Sequence, residues 1–262
     1  MFADDTNIFI SGQNLDDLTT IANSELKEIS NWFSANLLSL NITKTNYILF
    51  GNKKPPDISL LVNNEKLLRV YETKFLGIII QTNLKWTTHI RLLENKISKT
   101  IGVICKAKNI LATPHLKILY QSLVEPYLNY CSIVWANPEK ITVLETLHKL
   151  QKRATRLILS VNYRAHSKPL FHKLKILNIY DLCQTQIVTF VYKSCNGLLP
   201  SNYQNYFTFI KDKHDHLTRS SKYYNLYRTN AQKLCRANAL VNRGPKYWNS
   251  LPMPIKSAPS IG

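Results

Sequence analysis

Glycine is scarce in this chain, with seven among 262 residues, well under the roughly 7% usual in proteins. Few positions can take a positive φ without steric cost, which disfavours a protein of many tight hairpins and favours long helices. Acidic residues are thin as well: 16 Asp and Glu stand against 34 Lys and Arg, and the formal net charge is +18. The five cysteines, Cys105, Cys131, Cys183, Cys195 and Cys235, form no C-x-x-C pair, so zinc is not expected. Their odd number and irregular spacing fit buried thiols in a reducing compartment. No apolar run approaches the ~18 residues of a membrane span. The opening residues are acidic rather than basic, so no secretory leader is expected.

What is present is a chain able to bury a core, since 45% of its residues are hydrophobic. Its charge is unevenly spread. Residues 1–50 carry only Lys27 and Lys44 against six acids, a net of −4, which leaves 32 bases and 10 acids, a net of +22, for residues 51–262. Aromatic residues lie among those bases throughout. Interleaved basic and aromatic residues point to nucleic acid as partner; the plainer reading is lysine as a solubilising residue.

At the start, Asp4 and Asp5 sit between apolar residues in Phe2-Ala3-Asp4-Asp5-Thr6-Asn7-Ile8-Phe9-Ile10. Phe2-Ala3 and Ile8 to Ile10 read as two strands with the acidic pair at the hairpin tip. Adjacent carboxylates there suit a hard cation such as Mg²⁺, or are simply turn residues. A helix is expected from about Leu15 to Asn36, with Asn14 as N-cap and Asp16 and Asp17 complementing the helix dipole. Its buried stripe is Leu18, Ile21, Ala22, Leu26, Ile29 and Phe33. Leu38, Leu40 and Ile42 alternate with polar residues, and Tyr47 to Phe50 reads as a strand. Asn63-Asn64 reads as a hairpin turn, because Asn tolerates left-handed backbone. Phe75 to Ile80 reads as one more strand, with Gly77 marking a bulge or close approach.

From Trp86 the apolar period becomes helical. Ile90, Leu93, Ile97, Ile101 and Ile104 define one face, and Arg91, Lys96, Lys99, Lys106 and Lys108 the other. Pro114 opens a second helix with Leu116, Leu119, Tyr120, Leu123 and Val124 inside. A third runs from about Ile141 to Ser160. Val143, Leu144, Leu147, Leu150, Ala154, Leu157 and Ile158 face its core side, and Lys149, Lys152, Arg153 and Arg156 face outward. Residues 170–177 and 182–192 read as further helices. His89 is expected to pack against Trp86, and Trp248 to anchor a core.

Four segments in order carry a resemblance: Phe2-Ala3-Asp4-Asp5; Asn36 to Phe50, with its N-x-L-x-L-N-x-x-K-T pattern; Lys74-Phe75-Leu76-Gly77-Ile78; and Leu84 to Ile90. Together they resemble the reverse transcriptases of non-LTR (LINE-like, jockey-type) retrotransposons. Arg243-Gly244-Pro245 through Trp248-Asn249 to Leu251-Pro252 resembles a G-P-x-x-W-N-x-L-P segment near the end of such proteins. The resemblance implies an α+β chain. Residues 1–82 are then a partial reverse-transcriptase palm of short antiparallel strands plus one amphipathic helix. Residues 83–160 are a mainly helical thumb, and residues 161–262 a mostly helical or irregular C-terminal region.

The resemblance further implies RNA-directed DNA synthesis on an RNA template and DNA primer with deoxynucleotides, Mg²⁺ held by Asp4 and Asp5, and a location in nucleus or cytoplasm rather than in a membrane. Lys44 would approach the nucleotide phosphates. Phe75, Leu76 and Gly77 would support the primer end. Arg91, Lys96, Lys99, Lys106, Lys149, Lys152, Arg153 and Arg156 would meet the RNA–DNA duplex. The departures are a missing cysteine-rich knuckle, Gln81 where relatives place an acid, and no strand upstream of Asp4 with the second metal-binding aspartate. On those grounds the expectation is a C-terminal part of a polymerase, inactive alone. The alternative is a non-catalytic nucleic-acid-binding remnant.

Overall fold

The computed structural model of the chain describes residues 6–51, 56–139, 141–213, 224–229 and 238–258. It divides into two compact units, residues 1–88 and 89–262.

The first unit is built on helix α1, Leu15–Ala35. Asn14 caps it as expected: its side-chain oxygen accepts from the Asp17 N–H at 2.8 Å, satisfying one of the four donors a helix start leaves open. Three short strand pairs follow. Strands β2 (Leu61–Val62) and β3 (Glu65–Lys66) form an antiparallel hairpin. Its turn residues Asn63 and Asn64 have φ of 50° and 66°, the left-handed pair that a two-residue turn requires. Strand β1 (Asn46–Tyr47) pairs in parallel with β4 (Leu68–Arg69), where antiparallel strands were expected. Strands β5 (Glu72–Phe75) and β6 (Ile78–Gln81) are antiparallel. The run Phe75 to Ile80 is therefore a hairpin, not one strand: Leu76 and Gly77 form its tip with φ of 44° and 83°. An apolar turn hid the reversal.

The core of this unit is Ala22, Ile58, Leu60, Val62 and Leu67, with Ile10, Leu26, Leu40, Ile42 and Tyr47 packed around it. Helix α1 contributes less than its stripe suggested, because Ile21 is exposed and only Ala22 and Ser30 are buried. Polar side chains do part of the docking. Asn23 Nδ2 donates to Ser59 O at 3.0 Å, while its Oδ1 accepts from Leu61 N at 2.9 Å. Ser30 Oγ donates to Asn63 Oδ1 at 2.8 Å and ties the hairpin turn to the helix. Residues 8–10 form no strand; Ile10 packs on the core from an extended segment. Leu38 to Asn41 are irregular, and Ile42–Lys44 is one 3₁₀ turn.

The second unit is helical. Among the described residues its α-helices are α2 (Thr87–Ala107), α3 (Thr113–Leu123), α4 (Glu125–Asn129), α5 (Ser132–Trp135), α6 (Ile141–Ile158), α7 (Ser167–Leu174), α8 (Ile179–Cys195), α9 (Ser201–Gln204), α10 (Leu240–Asn249) and α11 (Met253–Lys256). The predicted stripe of α2 is buried in full, and Ile97, Ile101 and Ile104 have no exposed surface. His89 is buried too, and its ring meets Trp135 edge-on at 5.4 Å. Helix α8 lies against α4, α5, α6 and α10, so residues 161–262 share their packing with the preceding helices. Among the described residues no helix is long and apolar enough to cross a membrane.

Candidate nucleic-acid interface

Helix α2 carries four bases and one acid. Arg91, Lys96, Lys99 and Lys106 are all exposed, because the opposite face of the same helix is consumed by the isoleucine stripe. Lys96 Nζ lies 5.2 Å from the centre of the Tyr127 ring on α4, a cation–π contact that holds the charge in place. Arg91, Lys99 and Lys106 have no carboxylate within ion-pair distance among the described residues.

Helix α6 also carries four bases and one acid, but its set is less uniform. Arg153 is exposed and unpaired among the described residues. Lys149 pairs with Glu145 at 2.8 Å, and that pair lowers the Glu145 pKa. Lys152 is half-buried. Arg156, expected on the solvated face, is half-buried and donates from Nε to Ala165 O at 3.0 Å. It fastens the loop after α6. No hydrogen bond or ion pair joins the basic residues of α2 to those of α6 among the described residues.

The core side of α6 holds two polar residues that the apolar pattern did not announce, Gln151 and Thr155, neither with exposed surface. Gln151 Nε2 donates to the Tyr120 hydroxyl at 2.8 Å and to Leu177 O at 3.3 Å; its Oε1 accepts from Ile179 N at 2.8 Å. One amide thereby links α3, the α7–α8 loop and the start of α8. Burial pushes the Tyr120 hydroxyl's pKa well up. Gln151 falls in the 3–4 spacing of Leu144, Leu147, Ala154 and Ile158, and a polar residue inside that stripe was the available signal.

In the first unit, Asp4 and Asp5 lie outside the described residues. Among the described residues no three His, Cys, Asp or Glu side chains converge as a metal site. Asp17 accepts from Asn14 Nδ2 at 2.6 Å, in keeping with a capping role. Lys44 ends the 3₁₀ turn with its side chain exposed, and its backbone N–H is held by Asn41. Phe75, Leu76 and Gly77 make the tip of the β5–β6 hairpin, where Phe75 meets Phe9 edge-on at 5.9 Å. Gln81 caps the start of α2: its Oε1 accepts from Thr87 Oγ1 at 3.0 Å and from Thr88 N at 3.3 Å.

The segment Arg243 to Leu251 holds the far end of the second unit together. Arg243 is buried and donates to Ala136 O at 2.7 Å and Ile133 O at 2.9 Å; burial lowers its pKa. Trp248, 2% exposed, donates from Nε1 to Tyr224 O at 2.9 Å. Asn249 accepts from Leu226 N and donates to Leu226 O, at 2.8 and 2.9 Å. Trp248 is the core anchor expected of it.

Against known proteins, the chain is similar to the RNA-directed DNA polymerase from mobile element jockey of Drosophila funebris, with 23% identity over 183 residues. That match takes in 69% of this chain and 20% of the relative's length. The similarity supports a reverse-transcriptase relationship in the coarse sense. No family profile and no solved structure matches.

Proposed function

We propose that this chain forms the nucleic-acid-holding part of an RNA-directed DNA polymerase of a non-LTR mobile element, with the exposed bases of α2 and α6 set against the phosphates of a template–primer duplex. The observation that carries this reading is the set Arg91, Lys99, Lys106 and Arg153, exposed and without an ion-pair partner among the described residues, on helices whose other faces are buried. Such a face attracts a polyanion without reading its sequence, since phosphate contacts position a protein but carry no base information. The similarity to a polymerase of this kind supports reading the polyanion as an RNA template paired with a DNA primer. In the same reading, residues 1–82 are palm and residues 83–160 thumb. Asp4 and Asp5 are carboxylates for Mg²⁺, Lys44 faces nucleotide phosphates, and the Phe75-Leu76-Gly77 tip supports the primer.

The test is fluorescence anisotropy with a labelled RNA–DNA duplex. Changing Arg91, Lys99, Lys106 and Arg153 together to Gln is expected to weaken binding by about tenfold or more at moderate salt, with an unchanged circular dichroism spectrum. Equal affinity in the variant would refute the reading.

A further inference from the structure

A cavity of about 410 Å³ opens beside the C-terminal end of α8, where residues 208–210 pair with residues 225–227 and α11 closes one side. Its wall combines Phe209, Tyr224 and Trp248 with Lys211 and Lys256, and no carboxylate is among the described residues that line it. Lys256 is 9% exposed. Its ammonium donates to Asn225 Oδ1 at 2.8 Å and to Asn249 O at 3.1 Å. Both partners are neutral, so among the described residues the Lys256 charge is met by dipoles and by no carboxylate. A buried cation without a counter-charge is costly, and an anion entering the cavity would relieve it. Desolvation lowers the Lys256 pKa, which agrees with that imbalance.

The second cation is held by aromatic rings. Lys211 Nζ lies 5.5 Å from the centres of both Phe209 and Tyr224. Those rings meet edge to face, 6.4 Å apart, and Tyr224 is exposed. The nearby Cys195 thiol is pushed up to about 11 by burial, so it is neutral near pH 7 and the site is suited to binding rather than nucleophilic chemistry. Aromatic faces next to two lysines that meet no carboxylate among the described residues match a ligand that is planar at one end and anionic at the other. A cavity in the ~300–1,000 Å³ range of small-ligand pockets takes one nucleotide, not a duplex. An acidic peptide would match the lysines but leave the rings unused.

We propose that this cavity binds one unpaired nucleotide of a nucleic-acid single strand, its base against Tyr224 and Phe209 and its phosphate between Lys211 and Lys256. The inference shares with the proposed function only that the partner is nucleic acid. It is tested on the full chain by anisotropy with a labelled oligothymidylate of about ten nucleotides, in parallel with a blunt RNA–DNA duplex. Tyr224→Leu and Lys211→Gln change exposed side chains that make no hydrogen bond in the core. Tyr224→Leu is expected to weaken single-strand binding about tenfold or more, within the range for loss of one stacked base, and Lys211→Gln to weaken it several-fold through loss of one phosphate contact; both are expected to leave duplex binding unchanged. Polyglutamate should not displace the oligonucleotide. Unchanged single-strand affinity in both variants, an equal loss on duplex and single strand, or displacement by polyglutamate would overturn the proposal. If the duplex fails to bind while the single strand binds through Tyr224, the basic-helix reading falls and this one stands.

Discussion

Two glycines lie inside helices of the second unit, and alanine should act on them with opposite sign. At Gly244 in α10, an added Cβ would lie 2.8 and 2.9 Å from Phe207 Cε1 and Cζ and 2.9 Å from Val191 Cγ2. Phe207 and Val191 are both buried, so neither ring nor methyl has free space to move into. At Gly102 in α2, nothing lies within 4 Å of the added atom, and the position is exposed. Alanine gains about 1 kcal/mol of helix propensity over glycine at an interior position. Overpacking costs about 1–3 kcal/mol, and three contacts below 3.0 Å place Gly244 at the upper end. The net expectation is a loss of about 2 kcal/mol for Gly244→Ala and a gain of up to about 1 kcal/mol for Gly102→Ala. With a urea slope of roughly 2 kcal/mol per molar, the Gly244→Ala midpoint should fall by about 1 M, while that of Gly102→Ala should rise slightly. If both variants shift upward together, the close approach of α8 and α10 at Gly244 is wrong.

Gln151→Leu should destabilise the second unit by about 2 kcal/mol or more, since it leaves the Ile179 N–H and the Tyr120 hydroxyl buried without a partner; urea unfolding followed at α8 checks it, and a neutral result would contradict the network. Burial lowers the pKa of His89 and, with a smaller contribution from Lys152, of His148. Below the ordinary histidine range, near 6.5, the unfolded chain therefore takes up more protons than the folded one, and stability should fall as pH drops from about 6.5 toward the lowered values. Replacing His89 by Phe, which suits its place against Trp135, should flatten part of that dependence in a midpoint-against-pH series.

Much of the helical scaffold could be read from residue spacing. The α2 stripe is buried as the period of Ile90, Leu93, Ile97, Ile101 and Ile104 requires, and the Asn63-Asn64 turn and the Asn14 cap follow from local chemistry alone. What spacing did not show depends on tertiary partners. Arg243 and Lys256 are buried although charged residues default to the surface, because carbonyl and amide oxygens from distant segments receive their protons. Arg156 is half-buried because it donates to a carbonyl in the loop that follows its own helix. The reversal at Leu76-Gly77 was hidden because an apolar residue occupies a left-handed turn position. Of the candidate site, the exposed bases of α2 were legible as the complement of its apolar stripe. The cavity beside α8 was not, since its walls come from segments far apart in the chain.

Whether the basic helices meet phosphates is read from the salt dependence of binding. Association of the chain with an RNA–DNA duplex would be measured by anisotropy across a series of salt concentrations. If four to six phosphates are neutralised, log K falls against log salt with a slope of roughly −3 to −5, taking ~0.9 per contact from B-DNA. Lys96→Gln with Lys99→Gln should reduce the magnitude of the slope by about 2, with the fold intact because both side chains are exposed. A flat response in the original chain, or the same slope in the variant, would mean that these charges serve solubility and do not bind nucleic acid.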